Sequence, residues 1–218
     1  MLSSDPALIA ALRADLSAAP FTVERTEAVL GPVAAGALAR EQVLPAERET
    51  RDNLDPAAVL IRLFTLGDPV DRATVDAALP ALGGAGALAL GLVRDAGDAL
   101  IATCDLRPYG DQEHAWWLAS DLSELATRAP LSEDHVLGVG GASTTLASWT
   151  PRPRVGRALD LGTGCGVQAL HLSTHAEHIV ATDISDRALS YVRFNAALNG
   201  QEWDIRHGSM LEPVAGER

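Results

Sequence analysis

Val155-Gly156-Arg157-Ala158-Leu159-Asp160-Leu161-Gly162-Thr163-Gly164-Cys165-Gly166 is a short apolar strand that ends in an acid and runs straight into a glycine loop. Val167, Ala169, Leu170 and Leu172 then recur at helical spacing. Strand, glycine loop and helix in this order aim helix N-terminal amides at a ligand. A second strand is expected over His178–Thr182, ending at Asp183, which lies 21 positions after Gly162. At that distance a carboxylate can accept both hydroxyls of a ribose. Asp186–Leu198 reads as a helix closed by Asn199-Gly200. A third strand, about Trp203–His207, leads into Gly208-Ser209-Met210.

Two cofactor classes share this geometry. Nicotinamide and flavin binders use G-x-G-x-x-G, which sets the third glycine at position 167. This chain has Val167 there and Gly166 before it, together with Asp160 just ahead of the first glycine. An acid at that place is repelled by a pyrophosphate, whereas a ligand carrying an ammonium and a sulfonium is attracted to it. An NAD(P)-dependent oxidoreductase therefore stays as the alternative enzyme class. A third reading is a non-catalytic binding module with a vestigial cofactor site.

Asp160-Leu161-Gly162-Thr163-Gly164-Cys165-Gly166, with Ala181-Thr182-Asp183-Ile184-Ser185, resembles motifs I and II of class I S-adenosylmethionine-dependent methyltransferases. Ala188–Gly200, with Asn195-Ala196-Ala197-Leu198-Asn199-Gly200, is similar to the small-domain branch, which holds release-factor glutamine and ribosomal-RNA guanine-N2 methyltransferases. The resemblance runs from about Val136 to the end of the chain. It implies S-adenosylmethionine as cofactor, no metal, and N-methylation of an amide or exocyclic amine on a macromolecular acceptor, a protein glutamine or an RNA base.

Site roles follow from the same resemblance. Asp160 would sit near the methionine ammonium, partly through water. Gly162, Thr163, Gly164 and Gly166 would form the loop around the methionine and ribose. Asp183 would take the ribose hydroxyls and Ile184 would pack on the adenine. Ser209 and Met210 match the position after the third strand, where the family often has an acid on the adenine amine. Thr144 or Thr145 matches a threonine near the methionine end. The branch also places an Asn/Asp-Pro-Pro-aromatic motif after a fourth strand to hold the acceptor nitrogen. That motif is missing from these 218 residues, so they are expected to be an inactive fragment of a longer enzyme.

The fold class expected is α/β: a mainly helical, winged-helix-like N-terminal domain (1–120), a linker with a glycine/threonine segment (121–153), and the first half of a Rossmann-like doubly wound domain (154–218). Asp5-Pro6 and Asp55-Pro56 mark helix starts, with Leu8, Ile9, Leu12 and Leu16 on the first and Val59, Leu60, Leu63 and Phe64 on the other. Thr22 caps a short helix ending near Gly31-Pro32, and Arg40–Asp55 reads as a loop. Asp71 caps a helix ended by Pro80, and a further helix covers about Gly86–Val93. Strands at Ala99–Leu106 and His114–Leu118 flank a turn at Arg107-Pro108-Tyr109-Gly110-Asp111. Helices followed by a hairpin is the winged-helix order. Its third helix, built of Gly, Ala and Leu, cannot neutralise phosphates, so a packing or substrate-orienting role is expected rather than DNA binding. Trp116 and Trp117 face opposite sides of a strand, which puts at least one in the core.

Composition closes off other classes. The chain is 47% hydrophobic and 21% charged, an ordinary globular balance. All 17 of its Lys and Arg residues are Arg, which excludes Schiff-base lysine chemistry and the Walker A clamp. The net charge of −12 repels nucleic acid unless a local basic patch is present. Two cysteines, Cys104 and Cys165, provide neither a disulfide framework nor a four-cysteine zinc site. His171, His175 and His178 resemble zinc-ligand spacing but lack the metalloprotease glutamate, so a solvated histidine face is expected. Ala81–Val93, the longest apolar run, is broken by glycines and shorter than the roughly 20 residues of a membrane span. A cytoplasmic protein is expected.

Overall fold

The computed structural model describes residues 1–111 and 113–217. The chain divides into two compact units, one of residues 3–132 and one of residues 133–218 together with Met1–Leu2. The architecture is mixed α/β, with a helical region first and a sheet-and-helix domain after it.

In the N-terminal unit, α1 (Pro6–Ala18) starts where Asp5 accepts the amides of Ala7 and Leu8, and it buries Ile9, Leu12 and Leu16. The helix α2 (Val23–Leu38) starts where Thr22 accepts the Arg25 amide. It is kinked at Gly31, where φ is 68°, so the expected end at Gly31-Pro32 is a bend from which Pro32 opens a second helical segment. The loop expected over Arg40–Asp55 contains α3 (Leu44–Thr50). Pro45 fits its first turn, and Ala46 and Thr50, four apart, are buried among charged neighbours that hide the periodicity. The helix α4 (Pro56–Leu60), capped by Asp55, continues as a π turn over Ile61–Thr65.

A short strand β1 (Val70–Asp71) precedes α5 (Arg72–Ala78) and α6 (Gly83–Leu90). The helix expected through Val93 stops at Gly91, which is left-handed at φ 77°, because Val93 opens β2 (Val93–Ala96). The single strand expected over Ala99–Leu106 is two strands, β3 (Ala99–Ala102) and β4 (Asp105–Gly110), which belong to different sheets. One sheet has the order β1-β3-β2, all antiparallel. The other pairs β4 with β5 (Ala115–Ser120). The expected turn at Arg107–Gly110 is therefore extended and paired. Pro108 sits opposite Trp117 in a two-stranded ribbon, where a missing amide donor is tolerated. Leu12, Phe21, Leu60, Phe64, Leu90 and Leu100 are fully buried and form this unit's core. The unit ends with α7 (Glu124–Thr127).

The C-terminal unit opens with residues 133–140 and α8 (Gly141–Trp149), so the stretch 121–153 carries two helices divided between the units. A parallel sheet follows, β6 (Val155–Leu161), β7 (Ala176–Asp183) and β8 (Asp204–His207), in the order β6-β7-β8. The connecting helices are α9 (Val167–Leu172) and α10 (Asp186–Leu198). Both crossovers step the same way along the sheet, so right-handed connections put both helices on one face. Leu170, Leu189, Val192 and Phe194 are buried there. On the strand β6, Leu159 and Leu161 are 39% and 43% exposed.

Among the described residues no single helix is long and apolar enough to cross a membrane.

Candidate functional site

Two acids end adjacent parallel strands, and the glycine loop runs between them. Asp160 is 7% exposed, and its Oδ2 accepts the Thr163 hydroxyl at 2.6 Å and the Ala169 amide at 3.1 Å. Asp183 divides its oxygens: Oδ2 accepts the Gly164 amide at 3.0 Å and Oδ1 the Ser185 amide at 2.9 Å. Each carboxylate thus braces the loop or helix beside it and keeps further lone pairs for a ligand. One of the N-terminal amides of α9, that of Ala169, is spent on Asp160. Burial pushes the Asp160 carboxyl above its ordinary value, the bonds from Thr163 and Ala169 pull it down, and the charge of Asp183 pushes it up; the net direction is up.

The three glycines differ. Gly162 (φ 68°) and Gly164 (φ 58°) hold a conformation that L side chains rarely adopt, and a methyl group on either would point into open space. Gly166 (φ 89°) lies against Trp203, whose ring is 3.1 Å from where a Cβ would stand. It closes the loop onto the protein interior. The loop is held from behind by Asn195, fully buried on α10, whose Nδ2 donates to the Cys165 carbonyl at 2.8 Å. Trp203 in turn donates from Nε1 to the Ser173 hydroxyl at 2.9 Å.

In front of the loop is a cavity of about 480 Å³, within the roughly 300–1,000 Å³ usual for small-molecule sites. Asp160, Gly162, Thr163, Gly164 and Asp183 all line it. Gly166, Ile184, Ser209, Met210, Thr144 and Thr145 lie outside its lining. Ile184 is 67% exposed beside the site. Ser209 and Met210 are brought to the same end of the sheet by the Gly208 amide, which donates to the Asp183 carbonyl at 3.0 Å. Both threonine hydroxyls turn back onto their own helix, that of Thr145 donating to the Gly141 carbonyl at 2.7 Å. The part of α8 that faces the cavity is Ala142, Ser143 and Leu146. Gln168 ties the two helices, donating from Nε2 to the Ser143 carbonyl at 2.8 Å.

Sequence reasoning passed over Glu133, Asp134 and His135, which line the cavity just ahead of Val136. Val136, buried at 4% exposure, and the exposed Leu137 are the apolar residues of that stretch. His171 is also buried, with its Nδ1 3.4 Å from the Arg152 guanidinium, so it is not part of a solvated face.

Residues 137–218 match the family model described as Methyltransferase small domain. The match covers 82 of the 218 residues. Residues 18–103 match a second model, described as a domain of unknown function (DUF7059). A stretch of 63 residues is 46% identical to the release factor glutamine methyltransferase of Deinococcus radiodurans, covering 28% of this chain and 22% of that protein. A stretch of 83 residues is 36% identical to the ribosomal protein L11 methyltransferase of Lactobacillus johnsonii, covering 35% of this chain and 26% of the relative. The chain thus spans about a quarter of the length of these two relatives. A solved T. thermophilus 16S rRNA N2 methyltransferase (RsmC), in complex with AdoMet and guanosine, aligns at a TM-score of 0.41 and 16% identity, over 80% of this chain and 51% of that one. Residues 137–218 follow the helical region and contain the parallel sheet.

Proposed function

We propose that the small domain binds S-adenosylmethionine in the cavity in front of the glycine loop. The whole protein then transfers the methyl group to a nitrogen on a macromolecule, a protein glutamine amide or the exocyclic amine of an RNA base. One observation carries this reading: Asp160, Gly162, Gly164 and Asp183 line a single cavity of about 480 Å³ at the ends of two parallel strands. The residues fit the cofactor. The loop presents bare backbone where side chains would fill the space, and the flanking groups are carboxylates rather than phosphate-binding cations. The bound cofactor supplies an electrophilic methyl group on a positive sulfur.

In this reading Asp183 holds the ribose diol with the lone pairs left over from the Gly164 and Ser185 amides. The carboxylate form of Asp160 stabilises the positive groups of the ligand, its α-ammonium and sulfonium. Gly162 and Gly164 let the ligand lie on the backbone. Ile184, exposed beside the site, offers an apolar surface for the adenine. In-line displacement depends on alignment of nitrogen and methyl.

The test removes the hydroxyl from the ligand, because Asp183→Ala would also free two backbone amides. Calorimetric titration with S-adenosylhomocysteine should show binding, and its 2′-deoxy analogue should bind about tenfold or more weakly, as a lost charge-assisted hydrogen bond requires. NAD that binds in place of the sulfur nucleoside would overturn the proposal and favour an oxidoreductase.

A further inference from the structure

The N-terminal unit has a cavity of its own, of about 190 Å³, between the start of α2 and the β4–β5 hairpin. Phe21, Tyr109, Trp116 and Trp117 wall it, and Glu24 and Asp111 contribute carboxylates to its lining. The aromatic walls are held in place. Tyr109 stacks on Trp116 with centroids 5.9 Å apart, and the His114 ring lies parallel to Trp116 at 5.5 Å. Trp117 donates from Nε1 to the Phe21 carbonyl at 2.8 Å.

Asp111 is fixed as an anion. Burial pushes its carboxyl up, but the amides of Glu113 and His114 and the His114 ring outweigh this and bring it to about 2. Glu24 is held below the usual carboxylate range by its own backbone amide and by Thr22.

This volume is below that of a cofactor site and suits the end of one side chain. Aromatic walls with carboxylates among them attract a cation. The surroundings agree, since residues 3–132 carry nineteen Asp and Glu against ten Arg. A field of that sign repels a phosphate backbone and draws in a basic polypeptide. Between the two basic side chains, the planar guanidinium stacks on aromatic faces and loses hydration more readily than an ammonium.

We propose that this cavity is a docking site for an arginine side chain presented by a basic protein partner. The site is independent of the methyl-transfer reading and of the cavity in the small domain.

The test follows the four tryptophan indole N–H signals of the full chain by nuclear magnetic resonance, assigned with single Trp→Phe variants. Titration with a hexa-arginine peptide should shift the signals of Trp116 and Trp117 and leave those of Trp149 and Trp203 in place. The neutral hexa-citrulline peptide should shift none of them. Glu24→Gln, an exposed change that leaves the walls intact, should weaken hexa-arginine binding about two- to fivefold. Tyr109→Leu should weaken it about tenfold. Equal responses to citrulline and arginine would overturn the proposal, as would unchanged binding in Glu24→Gln, which would leave only diffuse charge attraction. A hexauridylate that moves the same two indoles would overturn it in favour of a nucleic-acid site.

Discussion

Asp15 in the N-terminal unit and the pair Asp160 and Asp183 in the small domain are carboxylates used in the same way, to hold backbone amides. Asp15 is 2% exposed, and its oxygens accept the amides of Ala81, at 3.0 and 3.1 Å, and of Leu82, at 2.8 Å. Asp160 and Asp183 accept the amides of Ala169, Gly164 and Ser185. The difference is what lies beyond them: a cavity of about 480 Å³ is lined by Asp160 and Asp183, while Asp15 lies beneath the start of α6. A buried, fully bonded acid is thus no sign of a ligand site by itself. What marks the small-domain pair is open volume next to bare glycine backbone.

That contrast breaks most visibly at Asp15. Asp15→Ala leaves two amides without their acceptor and should cost about 2–5 kcal/mol of stability in the N-terminal unit. Nucleoside affinity measured below the melting transition should stay unchanged. Chemical denaturation followed through Trp116 and Trp117 measures the first, and a large loss of affinity would blur the distinction drawn here. Within the loop, Gly166→Ala meets Trp203 and takes a left-handed conformation, so about 1–2 kcal/mol of small-domain stability should go.

Gly164→Ala sharpens the comparison further. It carries the same backbone cost of about 1 kcal/mol but aims its methyl into the open space before the loop. Its loss of S-adenosylhomocysteine affinity, about tenfold, should exceed that of Gly166→Ala when both are measured by calorimetry.

The smallest effect is a pH dependence with two opposite signs. The Asp160 carboxyl is raised above 3.8 by burial. Its contribution to folding is fully present below the unfolded value and is lost as pH rises through the raised one, so the free domain loses stability over that interval. A cationic ligand prefers the ionised acid, so affinity should rise with pH over the same interval. S-adenosylmethionine should show this dependence and adenosine, without the charged end, should not. Asp160→Asn should remove it. Equal slopes for the two ligands would detach Asp160 from the amino-acid end.

The sequence carried the small domain almost whole. Its three strands, α9, α10 and the glycine loop were legible because they are local patterns, with Gly200 closing α10, whereas α8 read as linker. The N-terminal half was less legible. The helix α3 was hidden by its charged surface, with only Ala46 and Thr50 pointing inward. The break between β3 and β4 lies at Thr103-Cys104, and only the exchange of sheet partners reveals it. In the site, the residues of the loop were readable, whereas Glu133, Asp134 and His135, which also line the cavity, were not. Loop polarity says nothing about what a loop lies against.

Local rules, which act over a few residues, therefore determined from sequence alone several helix starts and the acid-ended strands, and with them the resemblance of the C-terminal part. Tertiary structure decided which glycines face the cavity and which face Trp203, and that the Thr144 and Thr145 hydroxyls turn back onto their helix. It also brought Phe21, at position 21, into one cavity with the aromatic residues of the hairpin. Those outcomes depend on contacts between residues tens of positions apart, where the period of the chain carries no information and packing alone chooses.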